Sequence, residues 1–430
     1  MKKRTWQGLA LAACVAWSNT AVADEAQRKM TLEEVLAHAE AHAPSLAVAL
    51  RRAKRGDAER AAAAPFFPDN PRLSVSGGGR FGGGQDGADF EAGLTQEIEV
   101  AGEQGLRADL AERKAASYDA ELARARFDVH RLVHVSFHAA LLAEDAQRGV
   151  DDALRYAEQL LEIAAKQVQA GEESPLAEKL ARTEVWRAKE QQLASAQATR
   201  NARLELALMA GLPRGVEVVP QGKLPTPRAT ASLAALVALA KESQPELRLR
   251  RAENESAKAG VALADREAFP KPAIGAFYIA EGVAPGSSAT QQIILGTVEI
   301  PLPFWRQNDG PRAFARAEMG IAEAEEQALL ATLEHRIARA KTRVDSDAER
   351  IALHVTQVLP AVDDNVKLIQ QAFALGETDI TAVMLARERL ISSRREALDA
   401  YRDYFTALAE LEAEVGAEVV DNSAPQGSTP

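Results

Sequence analysis

The sequence predicts a mainly α-helical chain with a small β part, built as two copies of a unit that joins a β-hairpin to a long helical hairpin. Three observations carry this. Gly105 to Ala170 has no proline and one internal glycine, Gly149, with apolar residues at helical spacing such as Phe127, Val133, Phe137, Leu141 and Leu142. As one helix it would reach about 100 Å at ~1.5 Å per residue. A second such run, 311–375, is broken only by Gly320 and Pro360. Landmarks of the first half also return roughly 200 residues later: Pro44 as Pro245, Phe67-Pro68 as Phe269-Pro270, Glu97-Ile98 as Glu299-Ile300, Gly171 as Gly376.

Composition agrees with long helices. Of 430 residues only 5% are aromatic while 26% are charged, so alanine-rich helical packing replaces an ordinary globular core. The net charge is −11 and no basic patch is interleaved with aromatics, which argues against nucleic acid as a partner.

The N-terminus reads as an export signal. Lys2, Lys3 and Arg4 precede an apolar segment around Leu9 to Trp17, then Ala21-Val22-Ala23, which predicts a signal peptide over 1–23 cleaved after Ala23. Leu11-Ala12-Ala13-Cys14 also resembles a lipoprotein box, in which Cys14, the one cysteine, would be lipidated. The apolar run before Cys14 is only about five residues, short of the roughly 7 to 15 of a signal core, which favours Ala23. No later segment has 18 or more apolar residues, leaving a soluble periplasmic protein or a membrane protein made of strands.

In the first repeat, 24–210, Thr31-Leu32-Glu33-Glu34 is a capping-box helix start, and Pro44 opens a helix to about Ala64. Pro65, Pro68 and Pro71 end it. The period then becomes two: strands are predicted over 72–79 and 89–100, where Phe90, Ala92, Leu94, Ile98 and Val100 alternate with Glu91, Gly93, Thr95, Glu97 and Glu99. Gly77 to Gly84 is read as strand end and hairpin loop; a phosphate loop would run directly into a helix. A long helix over 105–170 ends at Gly171, and Ser174-Pro175 opens a returning helix, 174–210. The four prolines and three glycines of 211–231 mark a linker. The second repeat, 232–420, has strands 272–280 and 291–300, a long helix 311–375 and a returning helix 378–414 capped by Thr378 or Asp379. Residues 421–430 read as a disordered tail.

Geometry then constrains assembly. Strands of about ten residues are long enough to cross a bilayer when tilted, but four per chain cannot close a barrel, and unpaired edges are not tolerated in lipid. If the strands lie in a membrane, several chains must combine, and their rods continue the barrel as a helical tube.

Duplicated halves, each with strand, loop, strand, long helix, glycine-marked turn and returning helix, resemble the TolC family of outer-membrane efflux factors over essentially the whole mature chain. The segment Val298-Glu299-Ile300-Pro301-Leu302-Pro303-Phe304-Trp305-Arg306-Gln307-Asn308-Asp309-Gly310 is most similar to the end of the last strand in its heavy-metal (cobalt, zinc, cadmium) branch. The resemblance implies a homotrimer with a 12-stranded outer-membrane β-barrel, continued by a periplasmic α-helical barrel. It also implies a passive duct served by a periplasmic adaptor and a proton-driven inner-membrane pump of the resistance-nodulation-division class, with no cofactor.

Several residues carry parts of this reading. Pro301 and Pro303 cannot donate backbone hydrogen bonds, so with Arg306 and Gly310 they form a strand-to-helix motif. Phe66, Phe67, Phe304 and Trp305 fit either an aromatic belt at the lipid surface or a buried junction. Glu91, Glu97, Glu99 and Glu299 share the face opposite Phe90, Leu94 and Ile98, so in a trimer they would make acidic rings in the lumen that favour cations. The competing reading is a lumen merely wet, or neutralised by Arg72 and Arg80. His130, His134 and His138, at i, i+4 and i+8, are either transition-metal ligands or a structural or hydrated stripe, since no carboxylate or cysteine completes a closed site; His38 and His42 pose the same choice. The turns 169–176 and 375–380 are the far periplasmic tips, where Gly171, Ser174, Gly376 and Asp379 match the family's adaptor-contact pattern; turn chemistry alone would also select them. Some relatives carry acidic pairs after the second turn, where this chain has Ala382 and Leu385.

Three classes of function compete: a passive trimeric duct for heavy-metal cations, or for drugs or proteins on the same fold; a periplasmic coiled-coil scaffold; and an enzyme. No Ser/His/Asp spacing, metal-protease helix or nucleophile elbow supports the last.

Overall fold

The computed structural model describes residues 27–81, 86–171, 173–283 and 291–419. Ala23, Cys14, the loop residues 82–84 and the tail 421–430 therefore lie outside the described residues.

The first half opens with β1 (Gln27–Met30) and three short helices, α1 (Leu32–His42), α2 (Pro44–Ala53) and α3 (Arg55–Ala63). The capping box at Thr31 forms: Glu34 N–H donates to Thr31 Oγ1 and Thr31 N–H donates to the Glu34 carboxylate. A hairpin, β2 (Arg72–Arg80) and β3 (Gly87–Glu97), leads into α4 (Glu103–Ala170), which returns as α5 (Pro175–Met209). The second half follows the same order. A strand β4 (Glu217–Pro220) precedes α6 (Leu233–Ser243) and α7 (Pro245–Arg266); then come the hairpin β5 (Ala273–Val283) and β6 (Gln291–Glu299), α8 (Asp309–Leu353), α9 (Leu359–Ala374) and α10 (Ile380–Val415).

Three sequence expectations are corrected. The linker 211–231 is not featureless, because β4 within it pairs in parallel with β1, and Val218 is fully buried there. The helix expected from Pro44 to Ala64 breaks at Lys54 into α2 and α3. The second rod is interrupted by a π-helical turn, His354–Val358. Pro360 lacks the N–H that an unbroken α-ladder needs, and the i→i+5 bond from Leu359 N–H to the His354 carbonyl takes up the offset.

The four longer strands form one antiparallel sheet in the order β2-β3-β5-β6, so the two repeats meet at the β3–β5 pair. Away from the sheet, α1 and α2 pack on the first rod and α6 on the second, while α7 lies against both α4 and α8. Val35, Ala39 and Leu46 bury against Val133, Phe137 and Leu206 in the first; Leu236 and Ala240 bury against Leu333, Ile337 and Leu411 in the second.

Both returning helices stop at a glycine pressed against another bend. Gly211 (φ 76°) lies where a Cβ would stand 2.2 Å from the His42 carbonyl oxygen, between α1 and α2. Gly416 (φ 77°) lies where a Cβ would stand 2.4 Å from Gln244 Cα, between α6 and α7. Left-handed backbone and close approach both require glycine at the same place in each repeat.

Candidate functional site

The sheet has two unlike faces. In register, Leu73, Leu94, Ala276 and Gly296 form one cross-strand row and Val75, Ala92, Tyr278 and Ile294 the next, all on one side. That side is apolar and open: Leu73 is 72% exposed and Ile294 84%. The other side carries the rows Arg72, Thr95, Gly275, Thr297 and Ser76, Glu91, Ile279, Ile293, with the Phe277 ring filling the space a Cβ at Gly93 would take.

Glu91, Glu97 and Glu299 all fall on this second side. Glu97 and Glu299 flank Ala273 in one row, above a cleft of about 200 Å³ that Arg72 and Lys271 also line. Arg72 Nη2 donates to Glu97 at 2.9 Å, so the Glu97 charge is partly neutralised; Arg80 likewise pairs with Asp89 and Glu281. Among the described residues Glu91 and Glu299 have no ion-pair partner within 4 Å.

Glu99 departs from the expectation. β3 ends at Glu97, three residues earlier than the strand read from the alternation, and the Glu99 side chain is only 3% exposed. It accepts from Arg107 Nη1 at 2.6 Å and from Lys271 Nζ at 3.2 Å. Burial alone would raise its pKa, but these two cations hold the carboxyl below its usual range. Glu99 therefore fastens the junction of hairpin and rod and is not part of an acidic ring. Past Glu97 one further backbone bond joins the neighbouring segment, Ile98 N–H to the Pro272 carbonyl at 2.8 Å, and the ladder ends there.

The segment from Pro301 leaves the sheet as expected of two residues without N–H groups. Asn308 takes φ 60°, its side chain donates to the Ala264 carbonyl at 2.9 Å, and α8 begins at Asp309 with Gly310 in its first turn. Arg306 is exposed. Phe304 (71%) and Trp305 (92%), like Phe66 (74%), are exposed in the single chain, so the buried-junction reading does not hold within one chain.

The two far turns lie side by side. Gly171 (φ 74°) and Gly376 (φ 75°) end their helices in left-handed geometry, and Gln167 Nε2 donates to the Phe373 carbonyl at 3.5 Å between the turns. Ala164, Ala177, Phe373 and Val383 share one core beneath them. Asp379 caps α10 by accepting from Ala382 N–H at 2.9 Å; Ser174 takes the cap position without a side-chain bond. Leu176 and Leu375 are exposed at the tips.

The histidines separate. His138 stacks on Phe405 at 3.9 Å and its Nδ1–H donates to the His134 carbonyl; burial pushes it down to about 4, and it packs as a core ring. His130 Nε2–H donates to Glu418 at 2.7 Å, and His134 Nε2 lies 3.8 Å from the same oxygen. Burial, then the neighbouring His130, pushes His134 down to about 4. Burial also pushes Glu412 nearby up to about 7. Sequence reasoning missed Glu418 because it lies in the other repeat, beyond α10, and nothing local links it to α4. The pair His38 and His42 is a turn feature: the rings stack at 4.3 Å and His38 donates to the Ala210 carbonyl.

Such an arrangement, a two-faced sheet continued by paired rods, defines a class of export channel. The model of the outer membrane efflux protein family matches residues 35–212 and again 236–417, so the chain belongs to that family, the TolC family it resembles in sequence. It is 25% identical, over 322 residues, to the cobalt-zinc-cadmium resistance protein CzcC of Cupriavidus metallidurans, covering 74% of this chain and 75% of CzcC. The fold matches that of the outer-membrane protein VceC of Vibrio cholerae (TM-score 0.70, 18% identity, 90% of this chain and 97% of VceC). It matches CusC similarly (TM-score 0.72, 16% identity, 90% and 92%). Family and fold are those of efflux ducts, not of enzymes. No helix among the described residues is long and apolar enough to cross a membrane.

Proposed function

We propose that three copies of this chain close into a 12-stranded outer-membrane barrel continued by a periplasmic helical tube. The assembly would work as the passive duct of a tripartite efflux system that exports heavy-metal cations. The observation that carries the architecture is the four-stranded sheet: β2 and β6 each have one neighbour, one face is apolar and open, and α4 and α8 continue from the same end. Lipid tolerates no unpaired edge, and lateral closure with further copies removes both.

The same reading assigns the apolar face to lipid and Glu91, Glu97 and Glu299 to the lumen, where threefold repetition makes negative rings. The exposed aromatics Phe304 and Trp305 then sit at the membrane surface. The tips at Gly171, Ser174, Gly376 and Asp379 meet a periplasmic adaptor, and an inner-membrane resistance-nodulation-division pump supplies the driving force. Likeness to CzcC, together with the strand-to-helix segment Pro301 to Gly310, supports metal as the cargo.

Growth of a deletion strain across gradients of zinc, cadmium, cobalt, nickel and copper, beside a panel of dyes and antibiotics, tests the cargo. Selective metal hypersensitivity, reversed by the cloned gene, is the expected outcome. Sensitivity to organic compounds alone would replace metal by drug as cargo and leave the duct intact.

A further inference from the structure

We propose that His130, His134 and Glu418 form a binding site for a first-row divalent transition-metal ion of the zinc class, which fastens the segment after α10 to α4. Each side chain offers one ligand atom, and the three atoms lie within 4.8 Å of one another. The i, i+4 spacing on α4 sets the two rings 4.6 Å apart on one side of the helix. Gly416, in left-handed conformation, turns the chain out of α10 and brings Glu418 over them.

A second observation points to a ligand independently. His134 is 92% buried, taking its 8% exposure, and its Nε2 has no hydrogen-bond partner. An imidazole nitrogen left unsatisfied in the interior is destabilising, and a metal ion would satisfy it. Glu418 Oε1 lies 2.7 Å from one ring nitrogen and 3.8 Å from the other. Tetrahedral zinc ligands at ~2.0–2.1 Å from the ion stand about 3.3 Å apart, a value between these two, so side-chain rotations alone open the site. Two imidazoles and one carboxylate suit zinc, cobalt or nickel, and three protein ligands leave a position open.

The site lies where the end of the second repeat meets the rod of the first. It stands on geometry and does not need metal to be the transported cargo.

Cobalt(II) is the probe: purified full-length trimer, without a histidine tag, is stripped with chelator and titrated while visible absorption is followed. One cobalt per chain with the strong bands of low-coordinate cobalt, displaced by zinc, is expected. His130→Gln and Glu418→Gln should each weaken binding at least tenfold, roughly the scale of losing a ligand contact, while His335→Gln on the exposed face of α8 leaves it unchanged. Glu418 is half-exposed near the chain end, so Glu418→Gln tests the site even if changes on α4 disturb folding. Absence of the bands, or bands that survive both substitutions, overturns the proposal. Because the readout is binding, a strain whose metal tolerance does not depend on this gene refutes the cargo and leaves the spectrum untouched.

Discussion

Arg107 donates to Glu99 at 2.6 Å across the turn that joins the hairpin to the longest helix, and Lys271, on the segment that leads from α7 into β5 of the second repeat, donates to the same carboxylate. One buried acid thus holds both repeats where sheet becomes rod. Glu99→Gln should lower the resistance of the assembly to guanidinium by about 1–3 kcal/mol per chain at pH 7, since two partly buried cations lose their counter-charge. The pH dependence has a definite sign. The folded pKa lies below the usual 4.5, so the stabilisation is complete above that value and is lost as pH falls through the folded one. Unfolding midpoints of wild type and variant should therefore converge as pH falls from 4.5 through the folded pKa; a gap that stays constant throughout the acid range would remove Glu99 from this role.

Gly211 seats the end of α5 against the bend between α1 and α2. Gly211→Ala combines a left-handed backbone with a Cβ 2.2 Å from a carbonyl oxygen, and should cost at least about 2 kcal/mol. Gly149→Ala, where nothing lies within 4 Å and the helix is regular, should be neutral or slightly stabilising. Heat stability of the two purified variants provides the comparison.

The two faces of the sheet predict opposite responses to a charge. Ile294→Arg would place a guanidinium on the apolar side, at a cost of about 2–4 kcal/mol if that side meets lipid near the bilayer centre. Thr297→Arg, on the side of Glu97 and Glu299, should insert normally. Density-gradient fractionation would show Ile294→Arg depleted from the outer membrane; equal insertion of both variants would contradict the assignment of faces.

At the tips, Leu375→Glu changes an exposed apolar residue beside Gly376 without touching the core below. The variant should reach the membrane with wild-type stability yet fail to restore efflux to a deletion strain, if the tips meet the adaptor as proposed. Full restoration would move the docking surface elsewhere.

Much of this molecule is written in short stretches. Helical spacing between Gly105 and Ala170, the change to period two at Phe90, and the return of glycine and proline landmarks are local signals, and the structure has helix and strand there. Local signals also misled. The alternation ran on through Glu99 although the strand ends at Glu97, so an acid assigned to a lumen became a buried ion pair. Pro360 was visible, but not the π turn that absorbs it and lets the helix continue as α9.

The sequence alone determined the rods and the two-sided strands, because periodicity and turn chemistry depend on residues a few positions apart; the family came through the resemblance of its duplicated halves and of the segment 298–310. Only the tertiary structure decided which strands are neighbours, which acids pair with Arg72, Arg107 and Lys271, and that Glu418 stands over His130 and His134. Those contacts join residues as far as 288 positions apart, and no spacing along the chain encodes them until packing brings the two repeats together.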